Sequence, residues 1–191
     1  MSLRTFGAMT GVLGIRTELD SVLGAIAPIG LAAASGAMSL VLDLDPAGPR
    51  YPGERSLADV VAEGPRRVEL SPAGGSLAIM RNGGVAWDEA AETVHRLAGA
   101  WPVLVLRVSV GTPDLPWPVV PVVPLLPGIM STSAARPAVW QLIGRGQRPP
   151  GPGPILPPLG RAALTSLLEF RHLAAQRWVK AWRSVWELPW P

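Results

Sequence analysis

The chain has 191 residues and a mass of 20.1 kDa, which is typical of one domain with a real hydrophobic core. Hydrophobic residues make up 48% and charged residues 16%, which excludes a disordered polymer, and the absence of cysteine excludes disulfides and cysteine-ligated metals. Residues 1–100 carry a net charge of −3 and residues 101–191 carry +6, so the second half is where an anionic partner would be sought. The two histidines, His95 and His172, have no metal-ligand spacing, and no metal site is expected.

The first apolar segment is an uncharged run over residues 21–42, which is long enough to cross a membrane. It contains Pro28 and Gly30 and runs directly into the turn Asp43-Leu44-Asp45-Pro46. These features favour a buried helix at about 17–34, a stop at Gly36 and a strand at about 38–44. A membrane span is the alternative for this segment.

Short helices and strands alternate over the next sixty residues. The predicted order is a helix from Ser56 to Gly64, strands at Val68–Leu70 and Leu77–Met80, a helix from Trp87 to Ala98 and a strand at Val103–Leu106. The last of these is a continuous apolar run, which is typical of a strand buried on both faces of a parallel sheet.

Sixteen of the 22 prolines follow residue 100, so regular structure is expected to become sparse there. Residues 113–127 predict an edge strand or an extended connector, because proline cannot donate to a strand ladder. A further strand is predicted at 138–143 and a Pro/Gly-rich loop at 144–158. Residues 160–187 predict one long helix.

Strands that alternate with helices predict an α/β fold, a three-layer sandwich with a mainly parallel sheet. The composition divides the chain into three segments. These are an α/β domain over residues 1–145, a Pro/Gly-rich loop over 146–159 and a C-terminal amphipathic helix and tail over 160–191.

Several motifs follow one another in the order found in one family. They are the turn Asp43-Leu44-Asp45-Pro46, the helix Ser56-Leu57-Ala58-Asp59-Val60-Val61, the strand Gly75-Ser76-Leu77-Ala78-Ile79 before Gly83-Gly84, and the strand Val103-Leu104-Val105-Leu106 after a helix. Over about residues 5–145 the chain resembles the ParA/MinD family of deviant Walker ATPases. The resemblance implies a P-loop NTPase-like fold, a bacterial source and a role in positioning a cell-division, segregation or pilus and secretion assembly.

The phosphate-binding loop of that family, Lys-Gly-Gly-x-Gly-Lys-Thr, uses backbone N–H groups, lysine charge and a hydroxyl that holds Mg²⁺. The stretch that matches it best is Thr10-Gly11-Val12-Leu13-Gly14-Ile15-Arg16-Thr17. Gly11 and Gly14 fit the pattern, but Thr10 and Ile15 stand at the lysine positions and Arg16 at the hydroxyl position. The only lysine of the chain is Lys180, at its far end.

The carboxylate that the family places after its Walker B strand is also missing, because Arg107 stands there and would repel Mg²⁺. Asp43 and Asp45 are interpreted first as turn or N-cap carboxylates and second as catalytic ones. Gly11, Gly14, Asp43 and Asp45 are therefore at most vestigial cofactor-binding residues. We expect a pseudo-ATPase with no catalytic residue, no cofactor and no small-molecule substrate; residual nucleotide binding is the alternative.

The tail forms an amphipathic pattern when it is placed on a helix at 100° per residue. The apolar arc contains Trp178, Val179, Trp182, Val185 and Trp186, and the polar arc contains Arg177, Lys180, Arg183, Ser184 and Glu187. This pattern predicts contact with a protein partner, with the chain's own sheet or with a membrane surface, for which MinD-like proteins are similar in using a C-terminal amphipathic helix. Nucleic acid ranks last, because the basic residues are not clustered.

The expected function is a non-catalytic scaffold that pairs with itself or with an active ATPase relative. The expected location is the cytoplasm, with peripheral contact at the inner face of the cell membrane as a variant. A membrane-surface adaptor that acts through the C-terminal helix is a second alternative.

Overall fold

A computed structural model describes residues 11–17, 22–70, 77–109, 111–126, 136–144, 146–169, 173 and 176–191. The elements in chain order are β1 (Gly11–Thr17), α1 (Val22–Ala34), β2 (Ser39–Asp43), α2 (Leu57–Glu63), α3 (Arg67–Leu70), β3 (Leu77–Met80), α4 (Trp87–Ala100), β4 (Val103–Val108), β5 (Val119–Leu125), β6 (Val139–Leu142), β7 (Ile155–Leu156), α5 (Arg161–Leu168), α6 (Arg177–Ala181) and α7 (Arg183–Trp186).

The seven strands form one sheet in the order β3-β2-β4-β1-β5-β6-β7, and every pair is parallel. The register between β2 and β4 places Ser39 beside Val103 and Asp43 beside Arg107. The carboxyl ends of these strands therefore meet at one edge, which is where open α/β sheets bind their ligands.

Helices cover both faces of the sheet because the strands bury apolar side chains on both sides. On β4, Val103 and Val105 pack with α1 and the C-terminal helices, while Leu104 and Leu106 pack with α2 and α4. All four side chains have no exposed surface. The predicted α/β class with a parallel sheet is confirmed, and the layers are consistent with a three-layer sandwich.

The uncharged segment 21–42 contains a buried helix followed by a strand, as the first interpretation predicted. Pro28 lies inside α1, and Ala27, Ile29 and Leu31 have no exposed surface. In the part of the chain that the structure describes, no helix is long and apolar enough to cross a membrane. The predicted start at about residue 17 is wrong, because β1 extends to Thr17 and α1 begins at Val22.

Strand β5 is internal, which corrects the prediction of an edge strand or connector over 113–127. It pairs with β1 over residues 119–122 and with β6 over residues 122–125. Backbone groups of alternate residues point to opposite neighbours, and the carbonyl of Pro118 faces β1 because it accepts from the amide of Gly14. The nitrogen of Pro121 consequently faces β6, but the pairing with β6 begins only at Val122. The nitrogen of Pro124 faces β1, but the pairing with β1 ends at Val122. Neither proline removes a ladder hydrogen bond.

The predicted strand at Val68–Leu70 is wrong, because these residues belong to the short helix α3. Both carboxylate oxygens of Glu69 accept from Arg55, at 2.6 and 2.8 Å, and one also accepts from the backbone amide of Arg66 at 2.7 Å. The indole of Trp101 donates to the carbonyl of Glu69 at 2.8 Å. These contacts hold the segment in a helical turn that local hydrophobicity does not reveal.

The predicted single helix over 160–187 is wrong, because it consists of α5, α6 and α7, with Gln176 in an extended conformation before α6. A continuous helix of that length would measure about 42 Å. The longest strands have seven residues and span about 23 Å. A single helix would therefore be longer than any strand of the sheet, and the structure has three shorter helices in its place.

The apolar arc of the tail packs against α1 within the same chain. Trp182 and Val185 have no exposed surface and Trp178 has 3%. The Trp178 indole donates to Gln141 Oε1 at 2.7 Å, and the Trp186 indole donates to the carbonyl of Leu31 at 3.0 Å. The side chains are close because Gly30 has no Cβ: a Cβ there would overlap with the ring of Trp178 and lie 2.7 Å from Trp182 Nε1.

We predict that Gly30→Ala lowers the free energy of unfolding by about 1–3 kcal/mol, because the new methyl group overpacks the contact between α1 and α6. The matched control is Gly99→Ala in α4, where a Cβ meets nothing within 4 Å. Alanine is a better helix former than glycine, so this control gains up to about 1 kcal/mol. Urea unfolding of both variants measures the difference, and equal effects at the two sites would contradict the tail packing.

Candidate functional site

Gly11 and Gly14 lie inside strand β1 and not in a loop, which corrects the placement of a vestigial phosphate loop at residues 10–17. Their amides donate to the carbonyls of Pro102 and Pro118 at 2.9 and 2.8 Å. Both N–H groups are therefore used within the sheet and are not available to a phosphate. Thr10 lies outside the described residues.

The segment that follows β1 in the sequence is the position where a phosphate loop would begin in this fold. Four residues of sequence join Thr17 to Val22, namely Glu18, Leu19, Asp20 and Ser21, and they lie outside the described residues. This segment contains no glycine and no lysine, and its two carboxylates would repel phosphate.

The carboxyl ends of β2 and β4 are joined by a buried ion pair. Nη1 of Arg107 donates to Asp43 Oδ1 at 2.9 Å and to Asp45 Oδ2 at 3.0 Å. The side chains of Arg107 and Asp43 are 8% and 1% exposed. The two aspartates also have the predicted turn role, because Asp43 Oδ1 accepts the amide of Asp45 and Asp45 Oδ1 accepts the amide of Ala47, each at 3.0 Å.

Burial and the neighbouring opposite charge shift the pKa values of Asp43 and Arg107 in opposite directions. Burial raises the pKa of Asp43 above its ordinary value of 3.8, although Arg107 and the Asp45 amide favour the carboxylate and oppose the rise. For Arg107, burial is the largest single effect and acts to lower the pKa, but Asp43, Tyr51 and Asp45 together outweigh it and the pKa rises, so the guanidinium stays charged. The pair is consequently stable only as a unit, since either charge alone would be buried without compensation.

Two neighbours enclose the ion pair. Gly48 lies against it so closely that a Cβ would overlap with Asp43 Oδ2 and lie 2.5 Å from Arg107 Nη1. The hydroxyl of Tyr51 donates to the carbonyl of Ala25 in α1 at 2.6 Å. Burial and the charge of Asp43 raise the pKa of Tyr51. The loop after β2 is thus attached to α1 by the hydrogen bond of Tyr51, and it covers the ion pair at Gly48.

Magnesium and nucleotide do not fit this edge as it stands. Among the described residues at this edge, Asp43 and Asp45 are the carboxylates that could hold a cation, and the guanidinium of Arg107 lies between them. No group of three or more His, Cys, Asp or Glu side chains comes together in the part of the chain that the structure describes.

The structure divides the tail residues into two sets. Trp178, Trp182 and Val185 are buried within the chain, and Trp186 is partly buried, so they are not an exposed face in this structure. Arg177, Lys180 and Arg183 are exposed on the outer side of α6 and α7. The two sets are not a single site, because one packs on α1 and the other faces solvent.

Sequence reasoning treated Asp43 and Arg107 separately and missed that they form an ion pair. The signal was present, because each residue stands at the carboxyl end of an apolar strand. The partnership depends on β2 and β4 being neighbours in register, and that is a property of the sheet. Gln141 was also missed, since its role as acceptor for Trp178 joins β6 to a helix 37 residues away.

No protein-family model matches this chain, and a comparison with curated proteins finds no significant match.

We predict that Arg107→Met lowers the free energy of unfolding by about 3–5 kcal/mol near neutral pH, because it leaves the Asp43 carboxylate buried and unpaired. In this variant the pKa of Asp43 rises further, since the opposing effect of Arg107 is lost. The free energy of unfolding of this variant therefore declines as the pH rises through the raised pKa of Asp43. It recovers as the pH falls towards the ordinary pKa of an aspartate. Urea unfolding over a pH series measures this dependence.

Two variants control this experiment. Adding Asp43→Asn to Arg107→Met should remove the pH dependence, because no carboxyl is then left to titrate at that position. Arg66→Met breaks an exposed ion pair, in which the side chains of Arg66 and Glu63 are 62% and 58% exposed. It should lower the free energy of unfolding by at most about 1 kcal/mol. Equal losses for Arg107→Met and Arg66→Met would contradict the structural role of the buried pair.

Proposed function

We propose that the chain is a non-catalytic scaffold of the ParA/MinD type, which binds a protein partner and does not turn over nucleotide. The ion pair of Arg107 with Asp43 and Asp45 carries this proposal. It brings a fixed positive charge to the strand ends at which the resemblance implies a carboxylate that holds Mg²⁺.

The charges at this edge oppose nucleotide chemistry. Mg²⁺ could reach Asp43 and Asp45 only by displacing Arg107, which would leave a guanidinium buried without its partner. The only lysine, Lys180, lies exposed on α6, which packs on α1 through its other side. Together these features support a pseudo-ATPase in preference to residual nucleotide hydrolysis.

The exposed basic side of the tail supports a partner with an acidic surface. Arg177, Lys180 and Arg183 point away from the chain, while the tryptophans beneath them are engaged with α1. A membrane-surface adaptor needs indoles that can enter the lipid interface, and Trp178 and Trp182 would first have to leave the core. A protein partner, for example a second copy or an active ATPase relative, needs only the charges already exposed.

We predict no heat of binding when ATP and Mg²⁺ are titrated into the protein by calorimetry, because the sequence lacks the loop lysines of the family and the guanidinium of Arg107 already occupies the carboxylates of the edge. The control is the same titration into Asp43→Ala. Micromolar affinity that Asp43→Ala abolishes would overturn the pseudo-ATPase proposal and support the nucleotide-binding alternative.

We predict that the triple variant Arg177→Glu, Lys180→Glu and Arg183→Glu recovers its partner from native cell extract about tenfold less efficiently. The reason is that each exposed ion pair between these cations and an acidic partner contributes up to about 1 kcal/mol to binding. The matched control reverses three exposed arginines elsewhere, Arg50, Arg66 and Arg67, with the same change in net charge. Recovery should fall with added salt for the native chain. Equal recovery of both triple variants would contradict the basic face as the binding surface, and loss of binding to anionic vesicles alone would favour the membrane alternative.

A further inference from the structure

A second feature at the carboxyl edge of the sheet is an apolar pocket of about 370 Å³. It lies between the start of α1, the carboxyl ends of β5 and β6, and α5. Its ten lining residues are Val22, Leu23, Ile26, Pro124, Leu126, Gln141, Leu142, Ile143, Leu159 and Leu164. It therefore occupies the side of the fold where ligands of open α/β sheets bind, away from Asp43 and Arg107.

Among the residues that the structure describes, none that lines the pocket carries a charge, and the one polar side chain, Gln141, already forms hydrogen bonds. Gln141 Nε2 donates to the carbonyls of Leu142 and Pro157 at 2.7 and 2.9 Å, and Oε1 accepts from the Trp178 indole. A charged ligand would lose its hydration here and find no countercharge. The walls thus select a neutral, apolar molecule.

The pocket is open at a rim formed by Val22 and Ile143, which are 54% and 52% exposed. Other apolar side chains of the described surface are equally exposed, but these two lie beside the cavity. Burial of these side chains under an apolar ligand would be favourable.

The size of the pocket points to a small molecule and not to a protein surface. A stable protein interface uses roughly 20–30 residues on each side, whereas ten line this depression. Its volume falls near the lower end of the range of about 300–1,000 Å³ for small-molecule sites.

We propose that this pocket binds a neutral aliphatic small molecule, such as a single alkyl chain of medium length. This site is independent of the proposed scaffold function, since neither the basic face of the tail nor the ion pair contributes to it. A bound ligand would contact the first turn of α1, the ends of β5 and β6, and α5 at the same time.

The probes for this test are the straight-chain alcohols 1-hexanol, 1-heptanol and 1-octanol, measured by calorimetry and by displacement of the neutral dye Nile red from the full chain. We expect saturable binding that tightens by up to about fourfold for each added methylene, because each buries further apolar surface.

The matched variants are Ile143→Glu and Ile155→Glu, because these two isoleucines are almost equally exposed, at 52% and 50%, and only Ile143 lines the pocket. Ile143→Glu should weaken 1-octanol binding about tenfold or more, since it places a carboxylate at an apolar rim, and Ile155→Glu should leave it unchanged. Ile143→Gln, which is polar and neutral, should give an intermediate loss. Thermal melting confirms that all three variants are folded.

Absence of saturable 1-octanol binding would overturn the proposal, as would equal weakening by Ile143→Glu and Ile155→Glu or affinities that do not depend on chain length. Failure of the scaffold proposal would instead appear as ATP binding that depends on Asp43. The two failures are therefore distinguishable.

Discussion

An all-parallel sheet buries apolar side chains on both faces, and the chain must supply helices for both. On one face α2 and α4 cover Leu104 and Leu106. On the other face α1 alone does not cover the seven strands, and the C-terminal helices complete the layer with Trp178 and Trp182. The tail is part of the core for this reason, and its amphipathic pattern arises from packing against α1 through Gly30.

The carboxyl edge of the same sheet shows how a single residue changes the chemistry of a fold. Parallel register places Asp43 next to Arg107, and the guanidinium bridges two carboxylates that would otherwise repel each other or hold a cation. Gly48 lets the following loop close over the pair, and Tyr51 attaches that loop to α1. The edge is thereby stabilised by a side chain of the protein itself, which is consistent with a scaffold that needs no bound metal to keep its shape.

Two surfaces of opposite character lie outside this closed edge. The outer side of α6 and α7 presents exposed cations, which suits long-range attraction of an acidic partner. The described residues that line the pocket beside Ile143 are uncharged, which suits an apolar ligand of small size. Helix α1 contacts both regions, since its start lines the pocket and its later turns pack on the tail.

Local sequence by itself determined the elements whose signal is short-range. The helix that starts at Ser56, the strand Val103–Leu106 and the turn at Asp43 and Asp45 are all found as predicted, because neighbouring residues suffice to form them; the helix begins with a capping box of Ser56 and Asp59. Tertiary structure decided the rest. Strand β5 is internal because β1 pairs with its first half and β6 with its second half. The helix at residues 67–70 is held by Arg55 and Trp101, and the tail is divided into short helices of which α6 and α7 pack on α1. The partnership of Asp43 with Arg107 depends on strand order, and contacts between residues so far apart in the chain leave no local pattern from which they could be inferred.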